Sequence, residues 1–214
     1  MNLDFAGQRF TVLPERALLW DRTLVVADLH LGKSAVFRAR GVPVPAGSCE
    51  ADLARLDALL GRHAVERLLI LGDLFHAAEA MTDDALRPLR AWRADRAALP
   101  VTLVRGNHDR KSGQTPADLR FEIVEETWTE AGIDFAHEPV EQPPRPRVCG
   151  HLHPVVRLSD FDGSTVRTPA LIVDREQMIL PAFGSFTGGC AMEPRADRTR
   201  YAIAAGRVVR MLDR

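Results

Sequence analysis

The sequence predicts an α/β fold with its functional groups at the carboxyl ends of parallel strands. Three observations predict it. Four apolar runs break off into polar loops: Thr23–Asp28 into Asp28-Leu29-His30, Arg67–Asp73 into Gly72-Asp73-Leu74-Phe75-His76, Val101–Val104 into Gly106-Asn107-His108-Asp109, and Arg145–Gly150 into His151-Leu152-His153. The first three runs alternate with helical patterns, which reads as βαβαβ with right-handed crossovers. Five of the seven histidines (His30, His76, His108, His151, His153) fall in these four loops, the edge of an open α/β sheet at which ligands bind.

Taken in order, Arg9–Leu13 and Ala17–Trp20 read as short strands around Pro14-Glu15-Arg16, and Asp21-Arg22 turns into the first central strand. Residues from Gly32-Lys33 through Gly41, Pro43, Pro45 and Gly47 read as a loop. Ser48 is expected to cap a helix over about 49–62, with Leu53, Leu56, Leu59 and Leu60 on its core face. Thr82 is expected to cap the next, with Asp83 and Asp84 in the first turn where the helix dipole favours acids, and Leu86, Leu89 and Trp92 on one face. Pro88 should kink that helix or shift its start. The second half changes character. Leu119–Val124, Ile133–Ala136, Arg147–Cys149, Val155–Leu158, Thr165–Arg167, Leu171–Val173, Met178–Phe183, Tyr201–Ala205 and Val208–Leu212 read as strands, mostly antiparallel, with turns such as Asp162-Gly163 and Ala205-Gly206. No repeat or linker interrupts the chain, so residues 1–214 are expected to form a single domain.

Composition bounds the partners. With 46% hydrophobic and 27% charged residues the chain can build a core, and a net charge of −1 provides no global basic field, so any nucleic-acid contact must rest on a local patch. Three cysteines without C-x-x-C spacing suggest a reducing compartment and no disulfide framework. MNLDFAGQ lacks the basic and apolar regions of a secretory signal, and no apolar run nears the ~18 residues of a membrane span. The expectation is a cytoplasmic protein with no membrane partner.

The chemistry lies in the ligand types. Asp28 and His30 are two apart, as are His151 and His153, and on extended backbone such pairs point to one side. Asp73 adds a carboxylate and Asn107 a neutral oxygen. A mixed carboxylate, amide and imidazole set without thiolate suits Mn, Fe or Zn better than it suits a structural zinc site. The ligands are too many for one ion; two ions sharing a carboxylate fit the count, and such pairs clamp attacking and leaving oxygens in phosphoryl transfer. A lone histidine is more often a satisfied core residue, and His63 reads as a helix-end residue.

Asp-x-His, Gly-Asp, Gly-Asn-His-Asp and Gly-His-x-His, in this order over residues 28–153, resemble the calcineurin-like metallophosphoesterase superfamily. DLHLGK, GDLFH, GHLHP and GSFTGG (184–189) resemble more particularly the bacterial ligase-associated DNA damage response endonucleases, a manganese-dependent group. The resemblance implies a four-layer α/β/β/α sandwich of two mixed β-sheets with two divalent metals at one edge. It implies Asp28, His30 and His153 on the first metal, Asp73 as bridge, and Asn107 and His151 on the second. His137, the only histidine between the third and fourth motifs, takes the remaining ligand role. His108 would contact the phosphate and protonate the leaving oxygen, with Asp109 orienting it. His76 would touch the phosphate and favour diesters.

The implied activity is internal cleavage of DNA, single-stranded and transiently held, in DNA repair beside a helicase and a ligase, by a monomer or homodimer with Mn, or else Fe or Zn. Lys33 and Lys111, the only lysines, each follow a ligand motif and could contact phosphates or be plain loop residues. Arg110 is a further substrate-contact candidate, and Arg38, Arg40 and Arg105 could extend a basic rim. GSFTGG could lie at the site mouth or be only a tight turn. Two other readings stand: a small-molecule phosphoesterase acting on nucleotides or cyclic nucleotides, and a scaffold that has lost catalysis.

Overall fold

Strand pairing in the first sheet follows chain order. Strands β1 (Asn2–Phe5), β2 (Gln8–Leu13), β3 (Ala17–Trp20) and β4 (Thr23–Val26) form an antiparallel meander. β4 then pairs in parallel with β5 (Arg67–Leu71), β5 with β6 (Val101–Val104), and β6 with β7 (Glu122–Val124). The crossovers carry helices α1 (Lys33–Ala39), α2 (Ser48–Arg62), α3 (Asp83–Asp95) and α4 (Asn107–Ser112). These positions come from a computed structural model that describes residues 1–39, 41–44, 47–159 and 164–212; Arg40, Pro45 and the Asp162-Gly163 turn lie outside the described residues.

Among the described residues the second sheet has nine strands. β8 (Thr127–Glu130), β9 (Ile133–Ala136), β10 (Arg147–Cys149), β13 (Gln177–Ile179) and β12 (Thr165–Asp174) lie side by side; β12 also pairs with β11 (Pro154–Ser159) and β15 (Arg198–Ala204). β14 (Cys190–Ala191) and β16 (Arg207–Arg210) extend the edges. This half is more parallel than its turn-rich sequence suggests, since β10 runs parallel to both β9 and β13. Thr165–Arg167 and Leu171–Val173 are one continuous strand, and Met178–Phe183 is strand only to Ile179.

The two mixed sheets face each other, as expected. Period-two alternation sends Val25, Leu69, Leu71 and Val104 of the first sheet and Phe135, Val148, Leu171 and Met178 of the second into one shared core. The opposite face of the first sheet, with Leu24, Leu68, Ile70 and Leu103, packs under Leu53, Leu56 and Leu59 of α2 and Leu86, Leu89 and Trp92 of α3. The outer face of the second sheet carries a smaller cluster around Cys149, Val156, Ile172 and Ile179. Among the described residues no helix follows Leu119, so the helical cover gathers on the first sheet.

Helix ends depart from the sequence reading in instructive ways. Thr82 caps α3 as expected, accepting from the Ala85 amide at 3.3 Å, and the helix runs on through Pro88. Ser48 does not cap α2. Its hydroxyl donates to Ser34 at 2.7 Å, and the N-cap is Gly47, at φ 86. Residues 33–39, read as loop, are α1. His63 is the C-cap of α2.

Candidate metal centre

All seven expected ligands leave the carboxyl ends of five strands. Asp28 and His30 follow β4, Asp73 follows β5, Asn107 follows β6, His137 follows β9, and His151 and His153 follow β10. These five strands, three from one sheet and two from the other, are each in a parallel pairing. The shared core between the sheets therefore delivers both ligand groups to one edge.

Two groups of ligand atoms form there, each within 4.8 Å: Asp28, His30 and His153, and Asp73, His137 and His151. In the first, His30 Nε2 lies 3.1 Å from His153 Nε2, and His153 Nε2 lies 3.4 Å from Asp28 Oδ1. In the second, His137 Nε2 lies 3.0 Å from Asn107 Oδ1, 3.1 Å from His151 Nδ1 and 3.4 Å from Asp73 Oδ1. Asp73 joins the two, with Oδ2 3.6 Å from His30 Nε2.

These atoms fit divalent cations. Asp28 Oδ1 is buried without a hydrogen-bond partner, a costly state for a carboxylate oxygen. One hydrogen on His137 Nε2 cannot serve three acceptors at once. The other ring nitrogen, Nδ1, lies 3.0 Å from the Leu71 carbonyl and can donate to it, which turns Nε2 toward the cluster. Burial pulls the His30 imidazole down to about 2, so that ring is neutral and ligand-ready. Burial also lowers His137, but the hydrogen bond and charge of Asp73, helped by Asp28, reverse this and raise it to about 9. Burial raises Asp73, and its bonds to His137 and the His108 amide overturn that, to about 2. Asp73 and His137 thus hold each other as an ion pair until a cation takes the proton's place.

Close backbone approach lets this happen. A Cβ on Gly106 would strike Asp73 Oδ1, and one on Gly72, at φ 76, would strike the His137 ring. Gly106 therefore opens space for the Asp73 carboxylate.

Asp28 and His30 fall in one group, but His151 and His153 fall in different ones, and neither pair is brought together by extended backbone. Asp28, His30, Asp73, His151 and His153 are not extended; all sit at left-handed φ, between 46 and 71. Asp and His tolerate this region better than most residues, and such strain concentrates at functional sites.

Beside the first group stands a third, His30, His76 and His108. The His76 and His108 rings stack at 5.2 Å and 18°. His108 Nδ1 donates to the His76 carbonyl at 2.6 Å, and the His108 amide donates to Asp73 Oδ1 at 2.9 Å. Asp109 requires a correction. It was expected to orient His108, yet its carboxylate accepts from the Phe75 and Gly106 amides, each at 2.9 Å. Residues 107–112 form a helix in place of a plain loop, so Asp109 lies at N3 and caps it. It acts on His108 indirectly, through the N-terminus of the helix that carries His108 and through Phe75, next to the residue whose carbonyl holds the ring. Burial pushes its carboxyl up to about 6.

The basic candidates divide. Lys33 is half-buried at the start of α1 and lines a small crevice with His30 and Phe186. Arg110 is turned away, donating to the Glu125 carbonyl at 2.9 Å, and Lys111 is exposed on the last turn of α4. Arg105 is engaged by Glu125 and by the carbonyls of Asp109 and Gly113. GSFTGG does lie at the site. The Gly184 amide bonds the Asp28 carbonyl at 3.1 Å, Ser185 bonds buried Asp52, and Phe186 meets Phe37 edge-on. Sequence reasoning missed Asp52, whose only signal is an acid among the core-facing residues of α2.

Two mixed sheets that converge carboxylate, amide and imidazole ligands on one edge, with a histidine pair beside them, define a metal-dependent phosphoesterase. The chain belongs to the calcineurin-like phosphoesterase family, whose model matches residues 21–187. Among solved structures it is similar to a Pseudomonas putida nuclease MPE, at 37% identity over 99% of both chains with a TM-score of 0.86. Looser likenesses are AQ665, a protein of unknown function from Aquifex aeolicus (19% identity, 60% of this chain and 77% of that one, TM-score 0.39), and Chaetomium thermophilum Vps29 (13%, 89% and 93%, TM-score 0.38). No curated protein matches the sequence. Among the described residues no helix is long and apolar enough to cross a membrane.

Proposed function

We propose that this protein, acting as one domain over residues 1–214, is a DNA endonuclease that hydrolyses internal phosphodiesters of single-stranded DNA in repair. The observation that carries the reading is the full-length likeness to a nuclease at 37% identity, joined to a site that holds every ligand type a two-metal phosphodiesterase needs. Asp28, His30 and His153 would hold one divalent ion, Asn107, His137 and His151 the other, and Asp73 both. Manganese is the proposed ion, with Fe or Zn as the competitors that the same donors accept. When bound, the ions supply Lewis acidity toward the phosphate and lower the pKa of water.

The remaining steps belong to the chain. The His76 carbonyl keeps a hydrogen on His108 Nδ1, so Nε2 is the atom facing the substrate, and it is the protonated imidazolium that would give its Nε2 proton to the leaving oxygen and return to the neutral Nδ1–H form. The His76 ring, stacked on His108, presents a second imidazole to the phosphate. Lys33 adds a cation in the small crevice beside His30.

The test incubates metal-stripped protein with Mn, Zn or Mg and circular single-stranded DNA, with a generic phosphodiester and a phosphomonoester in parallel. Circles linearised with Mn, and left intact by His108→Ala, are expected. Intact circles beside turnover of the small diester would refute the nuclease and leave a small-molecule phosphoesterase. Inertness toward all substrates despite bound metal would leave a scaffold.

A further inference from the structure

Against His153, a cavity of about 290 Å³ runs between the GSFTGG loop and strands β11 and β12. Its walls include Arg16, Arg167, Val155, Ser185, Thr187 and Gly188. Arg167 lies directly across the β11–β12 ladder from Arg157. Arg167 and Val155 line the cavity; Arg157 does not, but strand alternation puts it on the same face as Val155, two residues along, and so at the rim of the groove beside Arg167. Like charges directly opposite in a ladder are unfavourable unless something compensates them. Among the described residues no carboxylate pairs with either arginine.

Arg16 approaches the same cavity from the β2–β3 turn, held there by a left-handed backbone at φ 67 and by a bond to the Gly184 carbonyl at 3.4 Å. The acid nearest to it in effect is Asp52, which is already engaged by the Ser185 amide at 2.9 Å and by Arg55 at 3.1 Å. Arg16 and Arg167 both line this one groove with no carboxylate among the described residues in an ion pair with either, and Arg157 stands beside Arg167 in the ladder, so the groove offers a concentration of positive charge to an anion. The groove begins at a residue of the first ligand group, and a polynucleotide bound there carries further phosphates on either side of the one being cut.

We infer that the groove bordered by Arg16, Arg157 and Arg167 is a subsite for a phosphate of the DNA strand flanking the scissile one. This rests on the nuclease reading and sharpens it: a mononucleotide or cyclic nucleotide has no second phosphodiester to place there, whereas a strand does. Arginine recognises phosphate by a bidentate fork that lysine does not reproduce, and the contact positions the strand without reading its bases.

The test compares Arg167→Ala, Arg157→Ala and Arg167→Lys with wild type on two substrates. One is a short single-stranded oligodeoxynucleotide; the other is a dinucleoside monophosphate, which has one diester and no flanking phosphate. Each alanine variant is expected to lose about tenfold in kcat/KM on the oligomer, the equivalent of one charge-assisted hydrogen bond, and to keep its activity on the dinucleoside. The slope of log KM against log salt should fall by about 0.7 for the phosphate no longer neutralised. Arg167→Lys should recover part of the loss. Arg167 also donates to the Gly189 carbonyl, so Arg157→Ala serves as the variant that leaves the loop untouched. Oligomer activity unchanged in both alanine variants, or a parallel loss on both substrates, overturns the subsite while DNA cleavage by wild type keeps the nuclease. Wild type inert on the oligomer yet active on the small diester overturns both.

Discussion

Loading of the metal centre should release a proton from His137, and the structure gives its size. His137 is 2% exposed, bonds Asp73, and is raised to about 9. A cation accepted by Nε2 must displace that proton. At about pH 7 the displacement costs roughly 3 kcal/mol, two pH units at about 1.4 kcal/mol each, which is about a hundredfold in affinity. Apparent Mn affinity of the metal-stripped protein should therefore rise about tenfold per pH unit from about pH 7 and flatten near pH 9. Calorimetry in two buffers of different ionisation enthalpy reads the protons released directly. His137→Gln, which cannot carry the proton, should bind the second ion weakly and without that slope. An affinity that stays flat between about pH 6.5 and about pH 8.5, with no proton released, would refute the pairing of His137 with Asp73 and the ligand role drawn from it.

The same pair makes a stability prediction for the metal-free protein. The raised His137 pKa stabilises fully below about pH 6.5 and is lost as pH climbs through about 9, so urea unfolding should weaken by roughly 3 kcal/mol across that window; a flat profile would count against it. Gly106→Ala drives a methyl into Asp73 Oδ1 and should abolish metal uptake while the far-ultraviolet spectrum stays native. Asp109→Asn keeps one acceptor for two buried amides and is expected to lower kcat about tenfold or more, because the His76 carbonyl that holds His108 shifts; unchanged kcat would mean that the His76 carbonyl is held without it. His76→Ala keeps that main-chain carbonyl and removes only the stacked ring, so a fall in the diester-to-monoester activity ratio reports the ring itself, and an unchanged ratio would exclude it from substrate choice. Thr82→Ala should cost about 1 kcal/mol of stability with no change in activity.

The site was more legible than the fold because its signals are local. Each strand that ends at the centre is an apolar run cut off by an acid, an amide or a histidine, and that edge is visible without knowing what lies beside it. His137 had no such motif and became a candidate only through resemblance; in the structure its place is fixed by β9 lying parallel to β10, a pairing between segments that no turn connects. Helix α1 escaped notice for the opposite reason. It is short, has no acid in its first turn, and owes its position to Val36, buried beneath it, so tertiary packing decides it. Arg110 reads from the sequence as a candidate substrate contact on a basic rim. The helical turn at 107–112 rotates it toward Glu125 instead, which a loop reading could not foresee.

That turn and the left-handed ligands express one constraint. A strand alternates its side chains across the sheet, so a strand that simply continued would send half of its ligands into the core or under the helices. Placing Asp28, His30, Asp73, His151 and His153 at positive φ turns the chain sharply at each strand end and lets successive side chains converge from two sheets on one small volume. The conformations are unfavourable one by one for non-glycine residues. They persist because the neighbouring backbone is pinned: the Asp28 amide to the Gly72 carbonyl, the His30 amide to the Asp73 carbonyl, and the Phe183 and Gly184 amides to the carbonyls of Ala27 and Asp28. Replacing His30 or His153 by glycine should therefore relieve strain while it destroys a ligand. If the metal-free protein becomes more stable as metal uptake falls, this edge is built for the ions at the expense of the fold; if it becomes less stable, the histidine contacts outweigh the backbone strain and the argument from positive φ fails.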